Sequence, residues 1–151
     1  MDVADFINPQ IKPLRDTDTI GDAVREALTG SVRDLPVVDG ARRFVGMLRI
    51  EDMLSKLLPA GALIGIGMDL GFVHLDLASL QEKLRAVEAH PVRDLVVRAE
   101  HLLRPDTSAL EAILLLQRGA RSLPVVDAGG MLVGVIGPRD VFRTLHTARN
   151  G

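Results

Sequence analysis

The chain has 151 residues, 47% of them hydrophobic, a formal net charge of -2 and no cysteine. A chain of this length buries about 68–70% of its extended surface, so no disulfide or metal is needed to hold a core, and without cysteine neither a disulfide framework nor a thiolate zinc site can form. Its 18 basic and 20 acidic side chains are interspersed and its few aromatic residues are all Phe, which supplies neither an electrostatic footprint for a phosphate backbone nor a stacking platform for bases, so no nucleic-acid partner is expected.

The opening Met1 to Asp5 is acidic where an export signal would be basic. A segment Val3-Ala4-Asp5-Phe6-Ile7 leads in. Asp18-Thr19-Ile20-Gly21-Asp22-Ala23 then opens a helix, with Thr19 and Asp22 at capping-box spacing. Its apolar positions Ala23, Val24, Ala27 and Leu28 predict one buried face. Leu-Pro-Val-Val-Asp-Gly at 35–40 reads as a short strand entered through a proline, followed by a turn over Gly40 to Arg43 and a second strand over Arg43 to Leu48. A final helix is predicted from Asp52 to Leu58.

Residues 59–90 form a less regular inter-motif segment. The glycines 61, 65, 67 and 71 argue against a continuous helix over 63–72, whereas Leu80, Leu84 and Val87 keep helical spacing in an exposed segment running to Glu88. The nearly apolar run Pro59 to Met68 is far short of the roughly 20 residues needed to cross a bilayer, so no membrane span is expected.

The pattern then returns. Pro91-Val92-Arg93-Asp94-Leu95-Val96 matches the lead-in at an offset of 89, and Asp106-Thr107-Ser108 opens a helix with Glu111 three residues after Ser108. That helix, Ala112-Ile113-Leu114-Leu115-Leu116, has almost no polar side and is expected to be covered from more than one direction, by the sheet and by the other repeat or another subunit. Leu-Pro-Val-Val-Asp-Ala at 123–128 repeats the first strand at an offset of 88, and the strand Met131 to Ile136 and the helix from Asp140 follow. Over 35–52 against 123–140, 8 of 18 positions are identical. Each half is a helix, two strands and a helix with a short strand leading in. Neither half can cover its own sheet, so the two should pack as one unit with approximate twofold symmetry.

Leu-Pro-Val-Val-Asp, a glycine turn, Val-Gly and a terminal Asp, twice over and each time after a capped helix opening, resemble the paired cystathionine-beta-synthase (CBS) domain, or Bateman module. The resemblance implies an α/β fold of two β-α-β-β-α motifs, here residues 1–58 and 91–151. It implies a cytoplasmic, non-catalytic regulatory module, commonly a homodimer, with clefts for adenosine-containing ligands such as AMP, ATP or S-adenosylmethionine. With no effector domain beside the two motifs, the regulated partner would be a separate protein. The alternative is a structural or protein-interaction module without nucleotide binding.

The resemblance also implies site residues. Asp140, after Gly134-Val135-Ile136-Gly137-Pro138-Arg139, and Asp52, after Gly46-Met47-Leu48-Arg49-Ile50-Glu51, fall where the family's aspartate accepts from ribose hydroxyls; helix capping is the other reading of each. Where the family has Ser or Thr beside the phosphate, this chain has Gly137 and Arg49. Gly137 leaves room and a backbone N–H, and Arg49 either binds phosphate or fills its cleft. Arg139 suits an anion and Glu51 repels one, which favours the cleft of Asp140. Arg33 and Arg121, two positions before Leu35 and Leu123, are expected to neutralise phosphate or to lie solvated near a helix end. Ile136, with Leu35, Leu123 and Val135, belongs to the core or to an adenine-facing wall.

No catalytic constellation emerges. His74, His90, His101 and His146 lack metal-ligand spacing, Ser55, Ser79 and Ser122 lie in no nucleophile elbow, and Gly65-Ile66-Gly67-Met68 is only half a dinucleotide fingerprint.

Overall fold

The computed structural model describes residues 1–8, 11–30, 34–58 and 76–150. The first motif runs β1 (Leu14–Arg15), α1 (Ile20–Thr29), β2 (Asp34–Val38), β3 (Phe44–Arg49) and α2 (Ile50–Met53). An exposed helix, α3 (Leu77–Val87), precedes the second motif, which runs α4 (Ala109–Gln117), β4 (Leu123–Val126), β5 (Leu132–Ile136) and α5 (Pro138–Asn150). β1 lies parallel to β2, and β2 antiparallel to β3. β4 and β5 form the matching antiparallel pair, and a parallel bridge from Leu103 to Val125 stands in the place of β1.

Both hairpins turn on the same chemistry. The Asp39 carboxylate accepts the Ala41 and Arg43 amides at 2.8 and 3.0 Å, and the Asp127 carboxylate accepts those of Gly129 and Met131 at 2.9 and 3.0 Å. This satisfies the donors that a tight turn leaves open and explains the aspartate ending each Leu-Pro-Val-Val-Asp run. The tips of the two hairpins meet through an Arg43–Met131 bridge, with the Phe44 amide donating to the Gly130 carbonyl at 2.9 Å. That contact joins two residues 88 apart and so lies on the twofold axis of the duplication.

The buried side chains fall into two clusters, each closed by a lead-in from the other half. Leu14, Ile20, Ala23, Leu35, Val37, Leu48 and Met53 of the first motif pack with Val92. Leu103, Ala109, Ala112, Leu123, Val125, Ile136 and Val141 of the second pack with Val3 and Phe6. The hydrogen bonds repeat the exchange. The Val3 amide donates to the Thr107 carbonyl at 2.9 Å and the Val92 amide to the Asp18 carbonyl at 2.8 Å. The lead-ins therefore cross over.

Three local expectations are corrected. Thr19 and Asp22 form their capping box, at 3.2 and 3.0 Å, but the Ser108 hydroxyl accepts from the Leu110 amide instead of that of Glu111. Leu28 is 80% exposed, because the buried face of α1 is Ile20 and Ala23, with Val24 and Ala27 half-buried, and Leu28 falls beyond its edge in the last turn. The helix predicted over 52–58 is one α-helical turn, α2, tightening into a 3-10 turn over Leu54–Leu57. There the Ser55 hydroxyl donates to the Asp52 carbonyl at 2.6 Å, and Pro59 follows in sequence, a residue before which an α-helix ordinarily stops. The glycine-rich stretch 63–72, the Gly65–Met68 fragment, His74 and Arg33 lie outside the described residues.

Candidate ligand clefts

Two clefts open where the motifs meet, and the offsets of 88 and 89 relate them. The larger, about 390 Å³, is lined by Asn8, Ile11, Val135, Gly137, Pro138, Arg139, Asp140 and Arg143. The smaller, about 150 Å³, is lined by Met47, Arg49, Val97, Arg98, Ala99, Glu100 and His101. Val135 thus matches Met47, Gly137 matches Arg49 and Asn8 matches Val97. Asp34 and Gly119 to Ser122 form a wall common to both. Small-molecule sites usually measure roughly 300–1,000 Å³, so only the larger cleft has that size. A guanidinium chain at Arg49, where the other copy has a glycine, accounts for the direction of the difference.

The lead-ins build the clefts by passing close over the second strand of each hairpin. The Met47 and Val97 backbones exchange hydrogen bonds of 2.8 and 2.9 Å, and the Asn8 amide donates to the Val135 carbonyl at 3.4 Å. This approach needs the glycine of each Val-Gly pair. A Cβ on Gly46 would overlap the Val97 carbonyl oxygen and come within 2.7 Å of Val96 Cγ1, and one on Gly134 would overlap Ile7 Cγ2.

Asp140 lies in the first turn of α5, 5% exposed, at the edge of the larger cleft. Pro138 opens that helix, where its missing N–H costs nothing. The Gly137 amide donates to Asp140 Oδ2 at 2.7 Å, and Arg143 Nη1 donates to Oδ1 at 2.5 Å. Capping therefore occurs, but a carboxylate oxygen can accept more than one hydrogen bond, so both oxygens keep capacity for a ligand diol. Arg139 beside it is exposed.

Arg121 is held by carboxylates of the first motif. Its Nε donates to both oxygens of Asp34 at 3.1 Å and its Nη2 to Oδ1 at 2.9 Å, while Nη1 and Nη2 reach Glu51 at 2.8 and 2.5 Å. The Ser122 hydroxyl donates to Asp34 at 3.2 Å. Asp34 first and Glu51 second hold the Arg121 proton above its already high affinity, and the Arg121 hydrogen bonds in turn hold the Glu51 carboxyl below the ordinary carboxylate range.

Among the sequence-derived candidates, Asp140, Arg139, Gly137 and Arg121 come together in the larger cleft, and Arg49 with Arg121 in the smaller. Ile136 is fully buried in the core, and Val135, on the opposite side of the strand, lines the cleft in its place. Asp52 is half-buried and lines neither cleft. Asp34, Asn8, Ile11 and Arg143 were not legible as site residues, although Arg143 had the helical i,i+3 spacing from Asp140 that could have marked it. Among the described residues, no group of three metal-ligating side chains gathers, and no helix is long and apolar enough to cross a membrane.

Comparison with known proteins agrees with this architecture. The CBS domain family matches residues 3–59 and 92–147. The chain is 27% identical over 147 residues to the chloroplastic CBS domain-containing protein CBSX2 of Arabidopsis thaliana, which it spans to 62% of its length. It is 26% identical over 126 residues to the inosine-5'-monophosphate dehydrogenase of Methanocaldococcus jannaschii, but spans only 20% of that enzyme. In structure it is similar to the CBS-pair protein CBSX2, with a TM-score of 0.73 at 25% identity over 99% of this chain and 97% of that one. It is also similar to CBSX2 in complex with AMP, with a TM-score of 0.67 at 26% identity over 98% of each chain. Two matched segments, a duplicated β-α-β-β-α topology and clefts related by the same offsets make this chain a member of the CBS domain family, with both motifs paired in one module.

Proposed function

We propose that the chain is a non-catalytic regulatory module whose larger cleft binds an adenosine-containing ligand, AMP or ATP before S-adenosylmethionine, and reports occupancy to a separate protein. The observation that carries this reading is Asp140: a buried carboxylate in the strand-to-helix turn, at the edge of a cleft large enough for a small molecule, with accepting capacity left for a ribose diol. Arg139 supplies a guanidinium for phosphate, and Gly137 leaves the space that Arg49 takes in the other copy. The likeness to CBSX2, a protein crystallised with AMP, supports the ligand class. Exposed leucines Leu110 and Leu114 on α4 and Phe142 and Leu145 on α5 support assembly as a homodimer, and a chain without cysteine suits a reducing compartment such as the cytoplasm. Signalling requires that the ligand bind two arrangements of the module with different affinity.

A second reading, an interaction module without a nucleotide, is favoured by the engagement of Arg121 with Asp34 and Glu51 and by Arg49 in the smaller cleft. Calorimetric titration with AMP, ATP and S-adenosylmethionine separates the two. Saturable binding is expected, weakened on the order of ten- to a hundredfold in Asp140→Asn, the loss of a charge-assisted hydrogen bond. Silence with all three ligands would establish the second reading.

A further inference from the structure

The wall shared by the two clefts carries an ion cluster that the duplication does not repeat. Every nitrogen of the Arg121 guanidinium donates to a carboxylate: Nε and Nη2 to Asp34, Nη1 and Nη2 to Glu51. At an offset of 88, the counterparts of Asp34 and Glu51 are Ser122 and Arg139, so the positions that hold this arginine in one copy offer no carboxylate in the other. Asp34 and Arg121 line both clefts, whereas Glu51 lines neither and holds Arg121 from outside them, within electrostatic reach of Arg49.

The two carboxylates are not equivalent. The Asp34 side chain is 5% exposed and also accepts from Ser122, which fixes it as the anchor. The Glu51 side chain is 52% exposed. Opening the Glu51 contact would leave Arg121 anchored on Asp34 through Nε and Nη2, with Nη1 and the second Nη2 hydrogen released. A phosphate seeking bidentate donation from Arg121 meets those same nitrogens and has to compete with the Glu51 carboxylate for them.

We propose that Glu51 is a specificity-determining residue: by occupying the outer nitrogens of Arg121 it sets how strongly the larger cleft holds the phosphate groups of an adenosine ligand. This rests on the adenosine reading above and adds to it a graded selectivity, in which Glu51 lowers the affinity that each phosphate would otherwise add. Discrimination of this kind acts through the unfavourable contact as much as through the favourable one.

The test is a matched set of titrations with adenosine, AMP and ATP on the full chain, on Glu51→Gln and on Glu82→Gln, which removes the same charge from an exposed position on α3. In Glu51→Gln the AMP affinity is expected to rise on the order of fivefold relative to adenosine, and that of ATP by more, with adenosine itself unchanged. In Glu82→Gln the ratios stay where they are. Glu51→Ala is read alongside and should move the ratios in the same direction, so the test does not hang on one variant. An AMP-to-adenosine ratio unmoved by both substitutions at Glu51, or a gain matched by Glu82→Gln, overturns the role of Glu51 while leaving the ligand class intact. No binding of any of the three ligands to any of the proteins overturns the ligand class and this inference with it.

Discussion

Gly46 and Gly134 are identical residues in the two copies because each lies beneath a lead-in, and the two neighbours differ in how far they can give way. Over Gly46 passes the Val97 carbonyl, which belongs to a backbone ladder bonded to Met47; over Gly134 passes a methyl of Ile7, a half-buried side chain. Gly46→Ala is therefore expected to cost more than Gly134→Ala, about 1–3 kcal/mol against the lower end of that range, measured by chemical denaturation. Ile7→Ala should restore part of the loss in Gly134→Ala and none in Gly46→Ala. Equal losses, or no rescue, would mean that the lead-ins do not lie where the structure puts them. The same close view separates Val135 from Ile136. The sequence identified the strand, but which of two neighbouring apolar residues faces the cleft depends on strand parity relative to the core, and only the packing reveals it.

At the scale of elements, the fold rests on an exchange. Val3 and Phe6 complete the core of the second motif and Val92 that of the first, each almost entirely buried. Phe6→Ala should lower stability by about 3–5 kcal/mol, as for a buried aromatic side chain, and its effect should be local to the far motif. Amide hydrogen exchange is expected to quicken in α4, β4 and β5 more than in β2 and β3, whereas Val92→Ala should reverse that order. Protection lost in the first motif on removing Phe6 would contradict the exchange. Hairpins, capped helix openings and the duplication itself were legible in the sequence, because turn aspartates, entrance prolines and apolar spacing act locally. The crossing of the lead-ins was not. Val3-Ala4-Asp5-Phe6 and Val92-Arg93-Asp94-Leu95 show that each motif has a matching lead-in, but similar segments satisfy similar surfaces, and nothing local says which copy receives which. The apolar α4 tells a related story: its pattern indicated cover on several sides, yet Leu110 and Leu114 remain exposed within one chain.

For the whole molecule, duplication followed by divergence yields two clefts on one axis with unlike chemistry. The resemblance in sequence placed Asp140, Gly137 and Arg139 at one site, because residues close together on one strand-to-helix turn stay together in space. It could not place Arg121 between Asp34 and Glu51, which lie 87 and 70 residues away and reach it only when the motifs pack. The inequality of the clefts was anticipated from charge, and the structure adds a difference in volume, about 390 against 150 Å³. The functional account turns on the larger cleft being where an adenosine ligand sits. Backbone amide chemical shifts recorded as AMP is added to the full chain test that placement most directly. The account requires saturable shifts centred on Asn8, Ser122, Gly137, Arg139 and Asp140, with the amides of Arg49, Arg98 and His101 much less affected; shifts centred on the latter group, or no saturable shift at all, would contradict it.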